Sequence, residues 1–459
     1  GDVLISNGVL QVGNDGTTGT LIDPVFLGVS TVTNNATLIV KRSNAFVLGS
    51  NLVGSGQLIQ AGAGKTTLTG FNTYTGATII QSGTLRIELA TGLGGSSASD
   101  ATKLLFKGGR LEYADDTVEF LRAFTVENGG AGFVANGNMP ILIGDGSTAQ
   151  LDFHNAAASN RVLTLSGLGI ADHTFAPALV ESEAAGQAFS SIVKEGVGKW
   201  IIGSSGDAVN TDANVTVNAG TLGFTAGALG GVSHTGTVTL ADLSTLRWES
   251  GNTDDVSSRL RAAAPGAGIT LDFAGGATTF AGALNVGTAN VTKSGSGALT
   301  LAGANTMTSF TVEGGSVNVT NAAGLGTGVV AVNGGTLSVN AAVSNVIDVG
   351  NGGTLGGVGS VSLGTVTVDN GGAVAPGNSP GILSGTNMTL IGGATFIWEV
   401  RNRTQSQGIG YDFLDLSGNL NLSGASSSNR IILKIVSLNA LNAPGFAELF
   451  TNNVINGGY

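Results

Sequence analysis

The fold is decided by residues 62–76, which read Gly-Ala-Gly-Lys-Thr-Thr-Leu-Thr-Gly-Phe-Asn-Thr-Tyr-Thr-Gly and are followed at 83–87 by Gly-Thr-Leu-Arg-Ile. A second copy starts at Gly295 with Gly-Ser-Gly-Ala-Leu-Thr-Leu-Ala-Gly-Ala-Asn-Thr and continues at 315–319 with Gly-Ser-Val-Asn-Val. A weaker third copy starts at Gly196 with Gly-Val-Gly-Lys-Trp-Ile-Ile. Three copies that keep one internal order indicate a repeat architecture.

The spacing within each copy corresponds to one coil of a β-solenoid. Each Gly-x-Gly precedes its Gly-Thr-Leu or Gly-Ser-Val by roughly 20–24 residues, the usual length of a solenoid coil. Apolar and polar residues alternate in short runs, as expected for strands with one buried face. Leu85 and Leu301 are predicted to face inward, and Thr78 is predicted to face solvent. The sequence therefore predicts an all-β solenoid of roughly twenty coils, with glycines at the corners.

Composition supports this fold and excludes several classes of protein. Of 459 residues, 76 are glycine and 11% are charged, against usual shares of about 7% and about 25%. Hydrophobic residues make up 42%, which argues against a disordered chain. The absence of cysteine and the presence of three histidines argue against zinc, thiol and disulfide chemistry. A net charge of −11 argues against nucleic acid as a partner, and no apolar run reaches the ~20 residues of a membrane span.

The repeat resembles a known family. The residues that carry the resemblance are Gly64-Lys65, Leu68-Thr69-Gly70, Asn72-Thr73-Tyr74-Thr75-Gly76, Gly83-Thr84-Leu85 and the segment Ala375-Pro376-Gly377-Asn378-Ser379-Pro380-Gly381. Together they are similar to the passenger-associated strand repeat of bacterial autotransporters and related exported proteins, over roughly residues 50–385. The resemblance implies a right-handed parallel β-helix displayed on, or released from, a bacterial envelope. It is specific for the repeat and not for any biochemical activity.

Two regions are expected along the chain. Residues 1–390 are predicted to form the β-solenoid of passenger-associated repeats. Residues 391–459 are predicted to form terminal coils or a cap, because glycine becomes rarer and longer apolar runs appear at 396–400 and 431–436.

Acidic pairs are the only candidates for catalysis. Parallel β-helices host enzymes that cleave polysaccharides with clustered acids, and Asp115-Asp116 with Glu119, and Asp254-Asp255, follow aromatic strand ends. Both pairs lie at equivalent positions of the repeat, which favours a structural polar turn, since an active site is normally built once. We therefore expect no enzyme activity and no catalytic residues.

No metal or cofactor site is expected either. Residues 252–255, Asn-Thr-Asp-Asp, offer oxygen ligands but lack the period of calcium-binding solenoids and the EF-hand pattern. His154, His173 and His234 each stand alone in the sequence and receive no role. The prediction is no cofactor-binding residues, no metal ligands and no cofactor.

Two functions remain open for an extracellular or cell-surface bacterial protein. The first is a non-enzymatic structural subunit that assembles head-to-tail into a homopolymeric fibre or matrix. Residues 2–13 alternate like an interior coil and lack the blunting charges or proline of a protected edge, so strand addition to the 391–436 region is expected. The alternative is an adhesin that binds a host or cell-surface glycan or protein.

Overall fold

The structure is a computed structural model that describes residues 2–20, 30–88, 90–95, 97–114, 118–144, 151–152, 160–177, 189–203, 213–230 and 234–445. These residues are almost entirely β-strands, corners and loops. The helical turns among them are short 3-10 segments at Ala90–Leu93, Ala101–Lys103 and Ser257–Arg259. The prediction of an all-β parallel solenoid is confirmed.

The strands up to Leu240 are β1 (Val3–Ile5), β2 (Val9–Gly16), β3 (Thr31–Asn34), β4 (Thr37–Arg42), β5 (Phe46–Leu48), β6 (Asn51–Val53), β7 (Gln57–Gln60), β8 (Lys65–Leu68), β9 (Thr78–Ile80), β10 (Thr84–Ile87), β11 (Leu104–Phe106), β12 (Arg110–Tyr113), β13 (Val118–Phe120), β14 (Phe124–Val126), β15 (Ala131–Ala135), β16 (Ile141–Ile143), β17 (Leu151–Asp152), β18 (Val162–Ser166), β19 (His173–Phe175), β20 (Ser191–Lys194), β21 (Lys199–Ile202), β22 (Asn214–Val217), β23 (Thr221–Phe224) and β24 (Val238–Leu240).

The strands after Leu240 are β25 (Thr245–Trp248), β26 (Leu260–Ala262), β27 (Gly268–Phe273), β28 (Ala277–Phe280), β29 (Asn290–Ser294), β30 (Ala298–Leu301), β31 (Ser309–Val312), β32 (Ser316–Val319), β33 (Val329–Val332), β34 (Gly335–Val339), β35 (Ala342–Val343), β36 (Ile347–Val349), β37 (Gly353–Gly357), β38 (Ser360–Val368), β39 (Ala373–Pro376), β40 (Ile382–Leu390), β41 (Thr395–Val400), β42 (Phe413–Leu416), β43 (Leu420–Asn421) and β44 (Ile432–Ser437).

The chain forms two compact units, residues 1–240 with 244–246 and residues 241–243 with 247–459. In the first unit, parallel pairing joins four sets of strands. They are β1-β3-β6, β2-β4-β7-β9-β11-β14-β17, β5-β8-β10-β12-β15-β18-β20-β22-β24 and β13-β16-β19-β21-β23.

The second unit has two long parallel sheets. Sheet V, as we name it, has the order β27-β29-β31-β33-β36-β38-β40-β42, and sheet VI has the order β28-β30-β32-β34-β37-β39-β41-β44. Neighbours in each sheet are equivalent strands of successive coils, so Leu299 pairs with Val317 and Val317 with Leu337. Equivalent side chains therefore stack in columns about 4.8 Å apart.

The inward faces of these columns form the core. Leu85 and Leu301 are completely buried, which confirms their predicted orientation. Aromatic side chains also stack within each unit: Phe133 lies 5.5 Å from Phe175, and Trp248 lies 4.5 Å from Phe273, measured between ring centroids. Burial of such columns is the main favourable term in folding.

The predicted exposure of Thr78 is wrong. Thr78 is fully buried, because β9 places its first and third residues inward and Ile79 outward. The Thr78 Oγ1 atom lies 2.5 Å from the Tyr74 hydroxyl. This hydrogen bond lets a polar side chain occupy an inward position.

The solenoid has about 15 turns, somewhat fewer than the roughly twenty that we predict from the repeat length. Coil length varies along the chain: hydrogen bonds between successive coils join Asn345 and Gly328, 17 residues apart, but also Asn429 and Gly392, 37 residues apart. Longer coils use more residues for each 4.8 Å step, so fewer coils fit into the chain.

The region after residue 390 continues the parallel stacking as far as it is described. Strand β44 pairs with β41 along six residues, from Thr395 with Ile432 to Val400 with Ser437. Paired residues are 37 positions apart here, the largest separation between paired strands in the described chain. A domain boundary at residue 390 stays a prediction.

Candidate functional site

A buried lysine closes the Gly-x-Gly corner of the second repeat copy. Lys293 follows the inward register of β29 and has no exposed surface. Its Nζ atom donates to the carbonyl oxygens of Gly295 at 2.9 Å, Gly297 at 2.6 Å and Gly314 at 2.7 Å. The three donors of the ammonium group are thus all used. Since Gly314 lies one coil further on, this lysine ties two coils together.

The third copy contains the same arrangement. Lys194 is also fully buried, and its Nζ atom donates to the carbonyl oxygens of Glu195 at 2.9 Å, Gly196 at 2.7 Å and Ala219 at 3.0 Å. Burial lowers the pKa of Lys194 and of Lys293 to about 8 in each case. Both pKa values remain above 7, so both side chains are predominantly protonated at neutral pH.

In the first copy a glutamine takes this position. The Nε2 atom of Gln60 donates to Gly62 O at 2.8 Å and to Gly64 O at 3.2 Å, while its buried Oε1 atom has no hydrogen-bond partner among the residues that the structure describes. A neutral amide thus satisfies two of the carbonyl groups at a corner where lysine satisfies three. We call these three corners, at Gln60, Lys194 and Lys293, the carbonyl corners.

A second recurring feature of the repeat is a buried asparagine whose side chain forms hydrogen bonds with two neighbouring coils. Asn305 accepts from the backbone N–H of Leu284 at 2.8 Å and donates to the carbonyl of Gly324 at 2.6 Å. Asn72 accepts from Leu52 N at 2.9 Å and donates to Gly92 O at 2.9 Å. Each amide therefore links the coil before it to the coil after it.

The glycine two residues before each asparagine permits this close stacking. A Cβ atom on Gly70 would lie 2.3 Å from Ser50 O, and one on Gly303 would lie 2.2 Å from Gly282 O. Either contact would force the coils apart, since real Cβ atoms do not approach a carbonyl oxygen so closely. The motif residues of the repeat thus make contacts between neighbouring coils. In the described chain they do not form a reactive centre.

Comparison with known proteins identifies this repeat. The family model described as Passenger-associated-transport-repeat matches residues 58–87 and 291–319, the two copies that contain Gln60 and Lys293. The chain is also 29% identical over 330 residues to a protein named adhesin BmaC autotransporter from Brucella suis biovar 1 (strain 1330), a match that covers 68% of the chain and 8% of the relative.

The chain contains copies of the passenger-associated-transport-repeat and is similar to an autotransporter passenger. It spans less than a tenth of the length of the curated relative that it matches. No solved structure matches it. The repeat and the adhesin relative indicate a surface-exposed or secreted extracellular protein.

The described residues contain neither a candidate membrane helix nor a candidate metal-binding cluster. Within the described ranges, no helical segment has the length and hydrophobicity that a bilayer crossing requires. Among the same residues, no group of three or more histidine, cysteine, aspartate or glutamate side chains is placed to hold a metal ion. The expectation that the protein has no cofactor or metal residues stays a prediction.

The acidic candidates that the structure describes are Glu119, Asp254 and Asp255. Asp115 and Asp116 lie outside the described residues, and Glu119 is exposed on β13. Asp255 accepts the backbone N–H of Ser257 at 2.9 Å through Oδ1 and that of Ala281 at 2.8 Å through Oδ2. Because both oxygens of Asp255 cap backbone groups, its carboxylate is placed as a structural link between coils. Asp254 lies beside it, and its carbonyl oxygen accepts from Trp248 Nε1 at 3.0 Å.

Two of the three histidines lie in the described part of the chain. His173 is buried on β19, where its Nδ1 atom accepts from Ile141 N at 3.3 Å and its ring lies 5.5 Å from that of Trp200. Burial lowers its pKa, which favours the neutral ring. His234 is half-buried, and His154 lies outside the described residues.

Sequence reasoning did not single out the buried lysines. The signal is present: Lys-x-Gly-x-Gly occurs at 194–198 and again at 293–297. In each case lysine occupies a position where strand alternation predicts an apolar inward residue. Only 11% of the residues are charged. A lysine at an inward strand position of such a chain indicates a buried hydrogen-bonding partner for its ammonium group.

Proposed function

We propose that this passenger repeat protein is a binding segment of a bacterial surface adhesin. The observation that carries the proposal is the 29% identity over 330 residues to a protein that is named an adhesin. The proposed role is binding without catalysis. In support, the repeat motifs and Asp255 are occupied with contacts between coils.

The fold suits this role physically. Stacked parallel strands keep outward side chains in fixed columns, and every coil adds one more position to each column. A surface of this kind offers many weak contacts at once. Multivalent contact raises the effective affinity without a deep pocket.

Adherence of coated beads tests the proposal. Beads that carry the chain are expected to attach to epithelial cells or to cell-surface glycans, and soluble chain should compete with them. Beads coated with the Leu301→Asp variant should attach less, because the substitution buries a carboxylate and disrupts the coil. The matched control is Thr292→Asp on the outward face of β29, which should attach like the parent. Parent-coated beads that attach no better than uncoated beads would contradict an adhesin role.

Assembly into a head-to-tail fibre is a further proposal. Two strands that pair with a described strand on one side expose apolar side chains, and this supports the proposal. Val9 of β2 is 64% exposed and Leu433 of β44 is 61% exposed. Electron microscopy of the chain with and without residues 1–13 tests it. Filaments that depend on those residues would support assembly, and a parent that stays monomeric at high concentration would refute it.

A further inference from the structure

The dipeptide Asn-Gly recurs at turns of the solenoid. Within the described residues it occurs six times, beginning at Asn7, Asn128, Asn136, Asn333, Asn351 and Asn370. Asn-Gly is chemically reactive, because the backbone nitrogen of the glycine can attack the side-chain carbonyl carbon of the asparagine, and glycine has no side chain to hinder the approach. The fold decides at each turn whether these two groups can meet.

Four of the six glycines use the attacking N–H in a backbone hydrogen bond to a neighbouring coil. The pairs are Gly129 with Asn160 O at 2.8 Å, Gly334 with Val312 O at 3.1 Å, Gly352 with Gly371 O at 3.0 Å and Gly371 with Gly393 O at 3.1 Å. Attack at these four positions would break a hydrogen bond between coils, which stabilises the native state.

The side-chain amide itself is held at two positions. Asn136 donates through Nδ2 to Glu112 Oε1 at 3.1 Å and accepts from Leu168 N at 3.1 Å through Oδ1. The Nδ2 atom of Asn333 donates to Glu313 Oε1 at 2.9 Å. Each carboxylate fixes the orientation of the amide, so its carbon cannot turn toward the glycine nitrogen without the loss of these bonds. Five of the six dipeptides are therefore held by contacts between coils.

Asn7 differs from the other five asparagines. Its Oδ1 atom accepts the N–H of Gly8 at 2.8 Å, so the fold directs the attacking nitrogen at the side chain of its own asparagine. Because a C=O bond is about 1.2 Å long, the Gly8 nitrogen lies within about 4 Å of the Asn7 Cγ atom, near the ~3–3.5 Å at which such atoms react. Both residues are exposed, so water and base can reach the site.

We propose that Asn7 is a site of spontaneous deamidation. Solvent base removes the proton of the Gly8 nitrogen, and this nitrogen then attacks the Cγ atom of Asn7. The new N–Cγ bond forms, the Cγ–Nδ2 bond breaks, and Nδ2 takes a proton from solvent and departs as ammonia, which gives a five-membered succinimide ring. One water molecule then opens the ring at either carbonyl group. The product is aspartate or isoaspartate at position 7, and a neutral amide has become a carboxylate.

The modification changes the turn between β1 and β2. This turn pairs with the next coil through Asn35 N to Ile5 O at 2.8 Å and Thr37 N to Gly8 O at 3.2 Å. Isoaspartate adds one carbon atom to the main chain between these two contacts, and either product adds a negative charge. A charge beside an edge strand opposes pairing with another chain. Deamidation would therefore weaken the proposed head-to-tail assembly, whereas the modification itself does not depend on that assembly.

Peptide mapping by mass spectrometry of the full chain tests the proposal. The chain is incubated in mildly alkaline buffer, once folded and once in concentrated guanidinium chloride, and aspartate and isoaspartate are quantified at all six positions. The unfolded chain is the matched control, because it keeps the six dipeptides and loses their tertiary contacts. The variant Asn7→Gln keeps an amide at the turn, but its longer side chain would have to close a larger ring. Far-UV circular dichroism should show that this variant folds like the parent.

In the folded chain, Asn7 should deamidate at least about tenfold faster than each of the other five asparagines, because an oriented neighbour accelerates an intramolecular reaction. In guanidinium chloride the six rates should become similar. Ion-exchange chromatography should separate an acidic form from the aged parent and not from aged Asn7→Gln. The proposal would be overturned if Asn7 reacted no faster than Asn333 in the folded chain. It would also be overturned if the order of the six rates were the same in the folded and unfolded chains, since the fold would then not select Asn7.

Discussion

Lys293 shows how one buried charge can hold a solenoid corner. Taking an ammonium group out of water is costly, and three carbonyl oxygens within 2.9 Å offset that cost with charge-assisted hydrogen bonds. The Phe273 ring adds a cation–π contact at 5.7 Å from Nζ to the ring centroid. Gln60 occupies the same corner in the first repeat copy with two hydrogen bonds. The residue at this position therefore determines how many carbonyl groups of the corner receive a hydrogen bond.

Replacing Lys293 tests the carbonyl corner. Lys293→Met should lower the free energy of unfolding by about 1–3 kcal/mol, because one buried and two part-buried carbonyl groups lose the hydrogen bond from the ammonium group. Lys293→Gln should lower it by about half as much, since an amide can serve two of them as Gln60 does. Lys434→Met, at an exposed position of β44, should change it by less than about 0.5 kcal/mol. Chemical denaturation measures all three, and a Met variant as stable as the parent would contradict the role of the corner.

Asp412 is the buried acid of the region after residue 390. Its carboxylate accepts the backbone N–H groups of Gly381 at 2.9 Å and Glu399 at 2.8 Å. Burial raises its pKa from 3.8 to about 6, against the opposing effect of these two hydrogen bonds. The native state therefore binds this proton more tightly than the unfolded chain does.

A pH dependence of stability follows. Between pH 3.8 and about 6 the native protein holds more protons at Asp412, so its contribution is greatest below the unfolded pKa and is lost as the pH rises through the folded pKa. We expect the free energy of unfolding to fall by about 1–2 kcal/mol across this window through Asp412. Urea titrations of the parent and of Asp412→Asn should differ in slope here. An unchanged slope in Asp412→Asn would refute the assignment.

Strands of this protein have faces defined by a period of two. In β30 the pattern Ala-Leu-Thr-Leu places Leu299 and Leu301 inward and Thr300 outward, and the register repeats this order in β28 and β32. Thr78 shows the limit of reading the face from polarity alone. In β9 the position within the coil, and a hydroxyl partner at Tyr74, decide the orientation.

Adjacent substitutions in β30 test the orientation directly. Leu301→Asp should lower the free energy of unfolding by several kcal/mol, because the carboxylate would be buried among stacked aliphatic side chains without a partner. Thr300→Asp, one residue earlier, should cost less than about 1 kcal/mol. Thermal and urea unfolding measure both. Similar melting of the two variants would show that the inward and outward faces are misassigned.

At the scale of the molecule, stability in a solenoid comes mainly from contacts between neighbouring coils. In the second unit, strands such as β32 pair on both sides, with β30 and β34. Strand β44 pairs with β41, and its Ile432, Leu433 and Ile435 are more than half exposed. Local opening should therefore differ in free energy along the unit.

Hydrogen exchange measures this difference. Amides of β30, β32 and β34 should be the slowest in the second unit, and those of β44 should exchange at least tenfold faster. The reason is that opening β32 breaks pairing with two neighbours and opening β44 breaks pairing with one described neighbour. Equal protection of β32 and β44 would show that the unit opens as a whole.

The amino-acid sequence is enough to predict the all-β solenoid, the passenger-associated repeat, the inward positions Leu85 and Leu301 and the extracellular class of protein. The solenoid and the inward positions follow from local alternation and from motif spacing, which the chain carries without reference to distant contacts. The extracellular class follows from the resemblance to the passenger-associated repeat. The tertiary structure decided the number of coils, the burial of Thr78, the carbonyl corners of Lys194 and Lys293, and the partners of Asp255 and Asp412. The lysine corners and the carboxylate links also depend on which residue lies one coil away, and that separation varies from 17 to 37 residues along the chain. Sequence spacing alone does not reveal such pairs, because loop insertions change the separation between stacked residues while leaving the stacking itself intact.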